Sequence, residues 1–257
     1  ETVQQTIPYK TMYKDGICRV NERLYNKTIK FEDINYQLAQ NEDKTQIFES
    51  YCDFLNYFDS SINVQLTFIN QHANVKEFQQ SIDIPTQRDD FNSIRREYAD
   101  MLKNQLSKGN NGLVKTKYVT FGVEADNLRT AKMRLERIEA DVLANFKVLG
   151  VKSRSLNGLE RLEILHGQFH PDGKEKLRFS WDDLPKTGLS TKDYIAPTSF
   201  DFRGGKNYRM GTTIGAVSFV QILAPELTDG MLADFLDLDN AITVNLHIQS
   251  IDQSEAI

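Results

Sequence analysis

Leu113-Val-Lys-Thr-Lys-Tyr-Val-Thr-Phe-Gly-Val123, together with the periodic stretch from Leu128 to Leu149, decides the fold class. In the first segment Val114, Tyr118 and Phe121 are interleaved with polar residues in a run rich in β-branched and aromatic side chains, which reads as a half-buried strand. In the second, Leu128, Ala131, Leu135, Ile138, Val142, Phe146 and Leu149 recur at steps of three and four, one apolar stripe along a helix. Asp126 is the expected cap at its start and Gly150 its stop. Val151-Lys-Ser-Arg-Ser-Leu156 then returns as a short strand. This strand–helix–strand unit contains no catalytic-loop signature and reads as scaffold.

On its N-terminal side, Asp15-Gly16 marks a turn. Ile17–Val20 and Lys27–Phe31 read as an antiparallel pair around the loop Asn21–Asn26. A helix is expected from Asn41 to Asp59 with Ile47, Phe48, Tyr51, Leu55 and Phe58 on its buried face, and Ser60-Ser61 ends it. The strict alternation of Ile62-Asn-Val-Gln-Leu-Thr-Phe68 is a strand. A short helical stretch near Val75–Ser81, a break at Pro85 and a second long helix over Asp89–Lys108 follow. The stripe of that helix is Phe91, Ile94, Tyr98, Met101, Leu102 and Leu106, and Lys108-Gly-Asn-Asn-Gly112 stops it.

On the C-terminal side, Asn157-Gly-Leu-Glu160 has capping-box spacing and opens a helix through Leu165. Gly167–Pro197 is a polar connector containing Gly, Pro and mixed charge. Ser199–Phe202, the turn Arg203-Gly-Gly-Lys206 and Tyr208–Met210 form a hairpin pattern. Thr213–Leu223 reads as a strand, Thr228 caps a helix through Leu236, and Ala241–Ile248 is the last strand. The order strand pair, helix, strand at Ile17–Phe68 thus recurs at Phe200–Ile248. The expectation is an α+β fold of two sheet-plus-helix layers, ferredoxin-like in pattern, with the second layer open to truncation. The expected organisation is a first subdomain over 1–170, a connector over 171–197 and a second subdomain over 198–257. The chain opens at Glu1 without Met and stops at Ile257 just past a strand, so it is expected to be a piece of a longer protein.

The 257 residues are 40% apolar and 26% charged, enough to bury a core of ordinary globular composition. A net charge of −5 and a pI near 5.5 disfavour a dedicated nucleic-acid binder, and no strong direct nucleic-acid binding is expected. Tyr118 and Phe121 have the residue types of a base-stacking platform, but their place in the alternation turns them to the core. No apolar run approaches the ~20 residues of a membrane span. Cys18 and Cys52 lie in patterned apolar segments, read as buried free thiols of a reducing compartment.

A phosphate loop needs Gly, four residues, then Gly-Lys-Ser/Thr, so that backbone amides wrap the phosphates and the Lys and hydroxyl follow at once. Gly205-Lys206 is followed by Asn207, and no Gly-Lys-Ser or Gly-Lys-Thr occurs in the chain. Neither a Rossmann fingerprint nor a Gly-x-Ser-x-Gly elbow is present. The enzymatic candidate is Glu163-Ile-Leu-His-Gly-Gln-Phe-His170-Pro-Asp172, where His166 and His170, four apart on a helix, would share one face as metal ligands. Gly167 stands where a zinc protease has its general-base Glu, and Pro171 opposes continuing the helix. Surface histidines at a polar helix end are the competing reading. A second candidate is a contact surface: Arg129, Lys132, Arg134 and Arg137 crowd the N-terminal half of the long helix, against its dipole. Pairing of Arg129 with Asp126 and Arg137 with Asp141 would make them ordinary surface charges; unpaired, they would form a basic docking strip for an acidic partner.

Several longer segments resemble the start of the conjugation ATPases of Gram-positive mobile elements, within the CagE/TrbE/VirB group of type IV secretion ATPases. They are Thr6-Ile-Pro-Tyr9, Met12-Tyr13 with Asp15-Gly-Ile-Cys18, Lys27–Ala39, Phe91–Tyr98, Gly109–Tyr118, Asn157-Gly-Leu-Glu-Arg-Leu-Glu163 and Ile195-Ala-Pro-Thr-Ser-Phe-Asp-Phe202. The resemblance spans nearly the whole chain. It implies a cytoplasmic motor, peripheral at the inner face of the membrane, that powers DNA and protein transfer. In that family the Walker motifs lie in a downstream domain, so ATP and magnesium are implied for the parent protein and no catalytic residue for this stretch. What it implies here is an assembly and docking role: self-association and contacts with conjugation channel subunits. The alternative is a metal-dependent hydrolase or nuclease using His166 and His170 with Glu163 or Asp172.

Overall fold

The computed structural model describes residues 2–33, 41–72, 91–97, 99–100, 113–173, 175–221, 230–238 and 240–251. The fold is mixed α+β, as expected, with a seven-stranded sheet and a separate three-stranded one. A single helical turn α1 (Val3–Thr6) precedes the short strands β1 (Thr11–Met12) and β2 (Cys18–Arg19) and the longer β3 (Leu24–Phe31). Then come α2 (Asn41–Asn56), β4 (Ile62–His72), β5 (Leu113–Glu124), α3 (Leu128–Val148) and β6 (Ser153–Ser155). The large sheet has the order β1-β2-β3-β5-β4-β10, where β10 is Ile242–Ile248, and β6 pairs with β3.

β3 is the strand on which the N-terminal and central parts of the chain meet. With β5 on one edge, its other edge is shared: Arg19 and Cys18 of β2 face Tyr25 and Asn26, and Ser155, Arg154 and Ser153 of β6 face Ile29, Lys30 and Phe31. Both pairings are antiparallel. Alternation along β3 sorts its side chains. Lys27 reaches Glu139 of α3 at 2.5 Å and Phe31 stacks on Phe146 of α3 with 5.0 Å between ring centroids, so the odd-numbered residues face α3. Asn26, Thr28 and Lys30 face the other way.

α3 keeps the heart of the predicted stripe: Ala131, Leu135, Ile138, Val142 and Phe146 are buried, as are Val119, Phe121 and Val123 of β5. Its cap is Asn127 rather than Asp126. Asn127 holds the extended conformation a cap requires, φ −153° and ψ 162°, and accepts from the Thr130 amide at 2.9 Å. Asp126 instead lies 3.5 Å from Arg23. Gly150, at φ +70°, ends the helix as expected.

The buried face of α2 differs from the expected one. Phe48 and Tyr51 are 62% and 46% exposed, while Phe54, outside the expected stripe, is 5% exposed. Phe146 is sandwiched between Phe31 and Phe54, each at 5.0 Å. α2 is therefore pinned to α3 by its C-terminal turn, helped by the bond from the Tyr57 hydroxyl to Asp141 at 2.7 Å. Of the second long helix, residues 92–97 and 99–100 are helical, with Phe91 and Ile94 exposed and Ala99 buried. The stretch 75–81, Pro85 and the remaining stripe residues Tyr98, Met101, Leu102 and Leu106 lie outside the described residues.

After β6 the capping box at Asn157 forms as predicted, and α4 runs from Gly158 to Phe169, a turn beyond Leu165. The chain continues through α5 (Leu184–Thr187) and α6 (Thr191–Ile195). Leu177, Phe179, Trp181 and Ile195, all within the expected connector, pack with Ile7, Tyr9, Met12, Cys18 and Leu162 in one apolar cluster. Composition made 171–197 read as a linker; its four large apolar side chains make it part of the core. The antiparallel sheet β7 (Phe200–Asp201), β8 (Tyr208–Met210) and β9 (Thr213–Gly215) follows, the first two being the expected hairpin. The strand expected over 213–223 stops at Gly215, because β8 offers only three partners. Val217, Phe219 and Val220 are left exposed.

The chain forms two compact units, 1–65 with 118–223 and 247–257, and 66–117 with 224–246. The division falls inside β4, β5 and β10, away from the expected boundary over 171–197. In the second unit, α7 (Gly230–Leu236) is tied to β4 by the Asn70 amide donating to the Leu236 carbonyl at 2.7 Å, and Lys115 pairs with Asp237 at 3.2 Å. Thr228, its expected cap, lies outside the described residues. Among the described residues no helix is long and apolar enough to cross a membrane.

Candidate functional site

Three places gather chemically active side chains, all in the first unit: the C-terminal end of α4, the N-terminal half of α3, and the seam between α4 and the turn before β2.

At the end of α4 the two predicted histidines do come together. His166 is buried, and its ring stacks on that of His170 with centroids 4.0 Å apart and planes 17° from parallel. His170 is the C-cap: its backbone N–H donates to the His166 carbonyl at 2.9 Å and its Nδ1 lies 3.0 Å from the same oxygen. Its Nε2 lies 3.2 Å from the Glu175 carboxylate. Each ring nitrogen thus has an oxygen beside it. In this arrangement neither His170 nitrogen turns a lone pair to open space. Burial, helped by the adjacent His170, pulls the His166 pKa below the ordinary histidine value, with Glu175 opposing. Glu163 and Asp172, the other members of the motif, are exposed. Among the described residues no three His, Cys, Asp or Glu side chains gather where they could hold a metal ion.

Along α3 the pairing differs from the expected local one. Lys132 reaches Asp15 at 2.8 Å and Glu136 at 3.7 Å, and Arg134 donates to the Glu124 carbonyl at 2.8 Å. Asp126 and Asp141, the expected partners of Arg129 and Arg137, are engaged by Arg23 and Tyr57. Arg129 and Arg137 are exposed and make no ion pair among the described residues. Lys132 and Arg134 thus find acceptors on neighbouring elements, each offsetting an unfavourable dipole term of roughly 0.3–1 kcal/mol, while Arg129 and Arg137 stay exposed.

Sequence reasoning gave Arg161 no role. On α4 its guanidinium bridges to the turn and strand opposite, donating to the Gly16 carbonyl at 2.7 Å and to the Asn26 carbonyl and Oδ1 at 3.2 and 2.8 Å. Burial works against its charge and lowers its pKa; these three oxygens support it. Close by, burial pushes the free Cys18 thiol up and Tyr9 up to about 12, the Tyr9 hydroxyl bonding Thr191 at 2.9 Å. Cys52, the second free thiol, is half-buried. The seam is closed by two glycines. A side chain at Gly16, φ +88°, would meet the Leu156 carbonyl at 2.1 Å, and one at Gly158 the Tyr13 carbonyl at 2.2 Å. The only signal was that Arg161 and Gly158 both sit in Asn157–Glu163, a segment that carried the resemblance.

Beyond the second hairpin, Ile214, Val217, Phe219 and Val220 are 61–82% exposed, and Phe202, 63% exposed, stacks on Phe200 and leans on Tyr208. Comparison with known proteins finds no protein-family model that matches this chain and no curated protein that does.

Proposed function

We propose that this chain is a non-catalytic assembly and docking domain of a conjugation ATPase of the type IV secretion group, acting through self-association and contacts with channel subunits at the inner face of the membrane. The segments quoted above support the family, and the exposed surface supports the role. The observation that carries it is the exposed apolar run of Ile214, Val217, Phe219 and Val220. Large apolar side chains left exposed so close together in the chain are of the kind that mark protein contacts. Free of charge from Thr213 to Leu223, the run lacks the lysines and prolines that keep edge strands solitary. Fuel consumption belongs, in this reading, to a domain not included in these residues.

Sedimentation velocity of the 257-residue chain across a concentration series tests the role: the expected result is reversible association that Phe219→Lys weakens. Calorimetric titration with ATP and magnesium tests the division of labour. Tight magnesium-dependent ATP binding by this chain would overturn the reading, as would a strictly monomeric chain that also fails to bind channel subunits.

A further inference from the structure

The face of β3 turned away from α3 carries a cluster of charge that the docking role leaves unused. Lys30 stands directly across from Arg154 in the β3–β6 register, so two cations face each other on neighbouring strands. Lys152, two residues before Arg154, lies on the same face, and its carbonyl accepts from the Glu32 amide at 2.9 Å. These four side chains and Ser153 line a cavity of about 140 Å³. That is the space of several water molecules at roughly 30 Å³ each, enough for a phosphate group.

The charges on this lining do not cancel among themselves. Arg154 donates to Glu160, in the first turn of α4, at 2.6 Å. Glu32 is the one carboxylate on the lining, and neither Lys30 nor Lys152 makes an ion pair among the described residues. α4 meets this face at Asn26 through Arg161, and Lys30, four residues on, is half-exposed. Like charges opposite one another on adjacent strands repel, and an anion seated between them reverses the sign of that interaction. A lone carboxylate is already supplied to Arg154 by Glu160. What Lys30 and Lys152 leave open suits an oxyanion with several acceptors and more than one negative charge.

We propose that the groove formed by Lys30, Lys152, Ser153 and Arg154 binds a phosphate group, carried by a soluble phosphate compound or by a phospholipid headgroup. The site is independent of the docking role: it uses other residues.

Titration calorimetry of the whole chain with inorganic phosphate and with pyrophosphate at low ionic strength reads the shared chemistry, and co-sedimentation with phosphatidylglycerol vesicles reads the lipid source. The expected result is saturable binding in at least one arm, reduced about tenfold or more in Lys30→Ala and in Lys152→Ala and retained in Lys30→Arg. Binding in the soluble arm alone assigns a free phosphate compound; binding in the vesicle arm alone assigns a headgroup. Circular dichroism melts of the variants separate lost binding from lost folding, and a second pair, Lys30→Gln and Lys152→Gln, replaces any variant that melts early. The proposal fails if no arm shows binding, if folded Lys30→Ala and Lys152→Ala bind as the parent does, or if chloride and sulfate compete as well as phosphate.

Discussion

His166 and His170 lie ring on ring at the end of α4, with the His166 carbonyl and the Glu175 carboxylate beside the two ring nitrogens of His170. His166 has a lowered pKa because it is buried and next to its neighbour. In the unfolded chain it regains the ordinary value near 6.5, so below that pH the unfolded state binds the proton first. Stability is therefore full above about pH 6.5 and falls as the pH drops from there through the folded-state value. Thermal melts from pH 8 to pH 5 are expected to show this loss, and His166→Asn to flatten it below pH 6.5. An unchanged slope in the variant would mean that carboxylates alone set the acid limb.

Lys27 and Glu139 form a nearly enclosed ion pair, their side chains 8% and 14% exposed. Removing one partner strands the other charge between β3 and α3. Lys27→Met is expected to cost about 3 kcal/mol in urea unfolding, and the double variant Lys27→Met/Glu139→Leu to recover most of it. Recovery, more than loss, is the informative half of that cycle.

Gly16 combines a left-handed backbone with a carbonyl 2.1 Å from where a Cβ would stand. Gly16→Ala is expected to destabilise by about 2 kcal/mol or more, through conformational strain and displacement of the Leu156 carbonyl. Because Arg161 binds the Gly16 carbonyl, Gly16→Ala and Arg161→Met should be strongly non-additive in a double-mutant cycle. Additive costs would show that the turn and the guanidinium act separately.

Phe219 is 78% exposed and lies outside the apolar cluster around Ile7 and Leu162. Phe219→Lys is expected to leave the melting midpoint within the small range of surface substitutions, about 0.5 kcal/mol, while weakening association in sedimentation. A large loss of stability instead would place the side chain in the fold of the isolated chain.

Much of the fold was legible because short-range pattern decides it. The stripe of α3 lies at 3.6-residue spacing, and its five inner positions, Ala131 to Phe146, are buried while Leu128 and Leu149 at its ends are half-buried. What failed needed partners distant in sequence. The apolar positions of α2 describe a broad band, and only Phe146, from another helix, selects Phe54 over Phe48 and Tyr51 as the docked side. The run after Gly215 alternates like a strand, but a strand needs a neighbour and β8 ends first. In the candidate sites, the histidine spacing was readable while the ring stacking and the Glu175 contact were not. Arg161 looked like any helical arginine because its acceptors arrive from 135 and 145 residues away.

The Tyr9–Thr191 bond joins residues 182 positions apart, and Ile195 closes the same apolar cluster. A ribosome making this chain therefore releases Ile7, Tyr9 and Met12 long before the segment that covers them has been translated. Until about residue 195 emerges, Ile7, Tyr9 and Met12 have no finished shelter, and the nascent segment offers them to chaperones or to other unfinished chains. Premature stop codons upstream of that point would thus yield sticky, protease-sensitive products, however well the central helix has already formed.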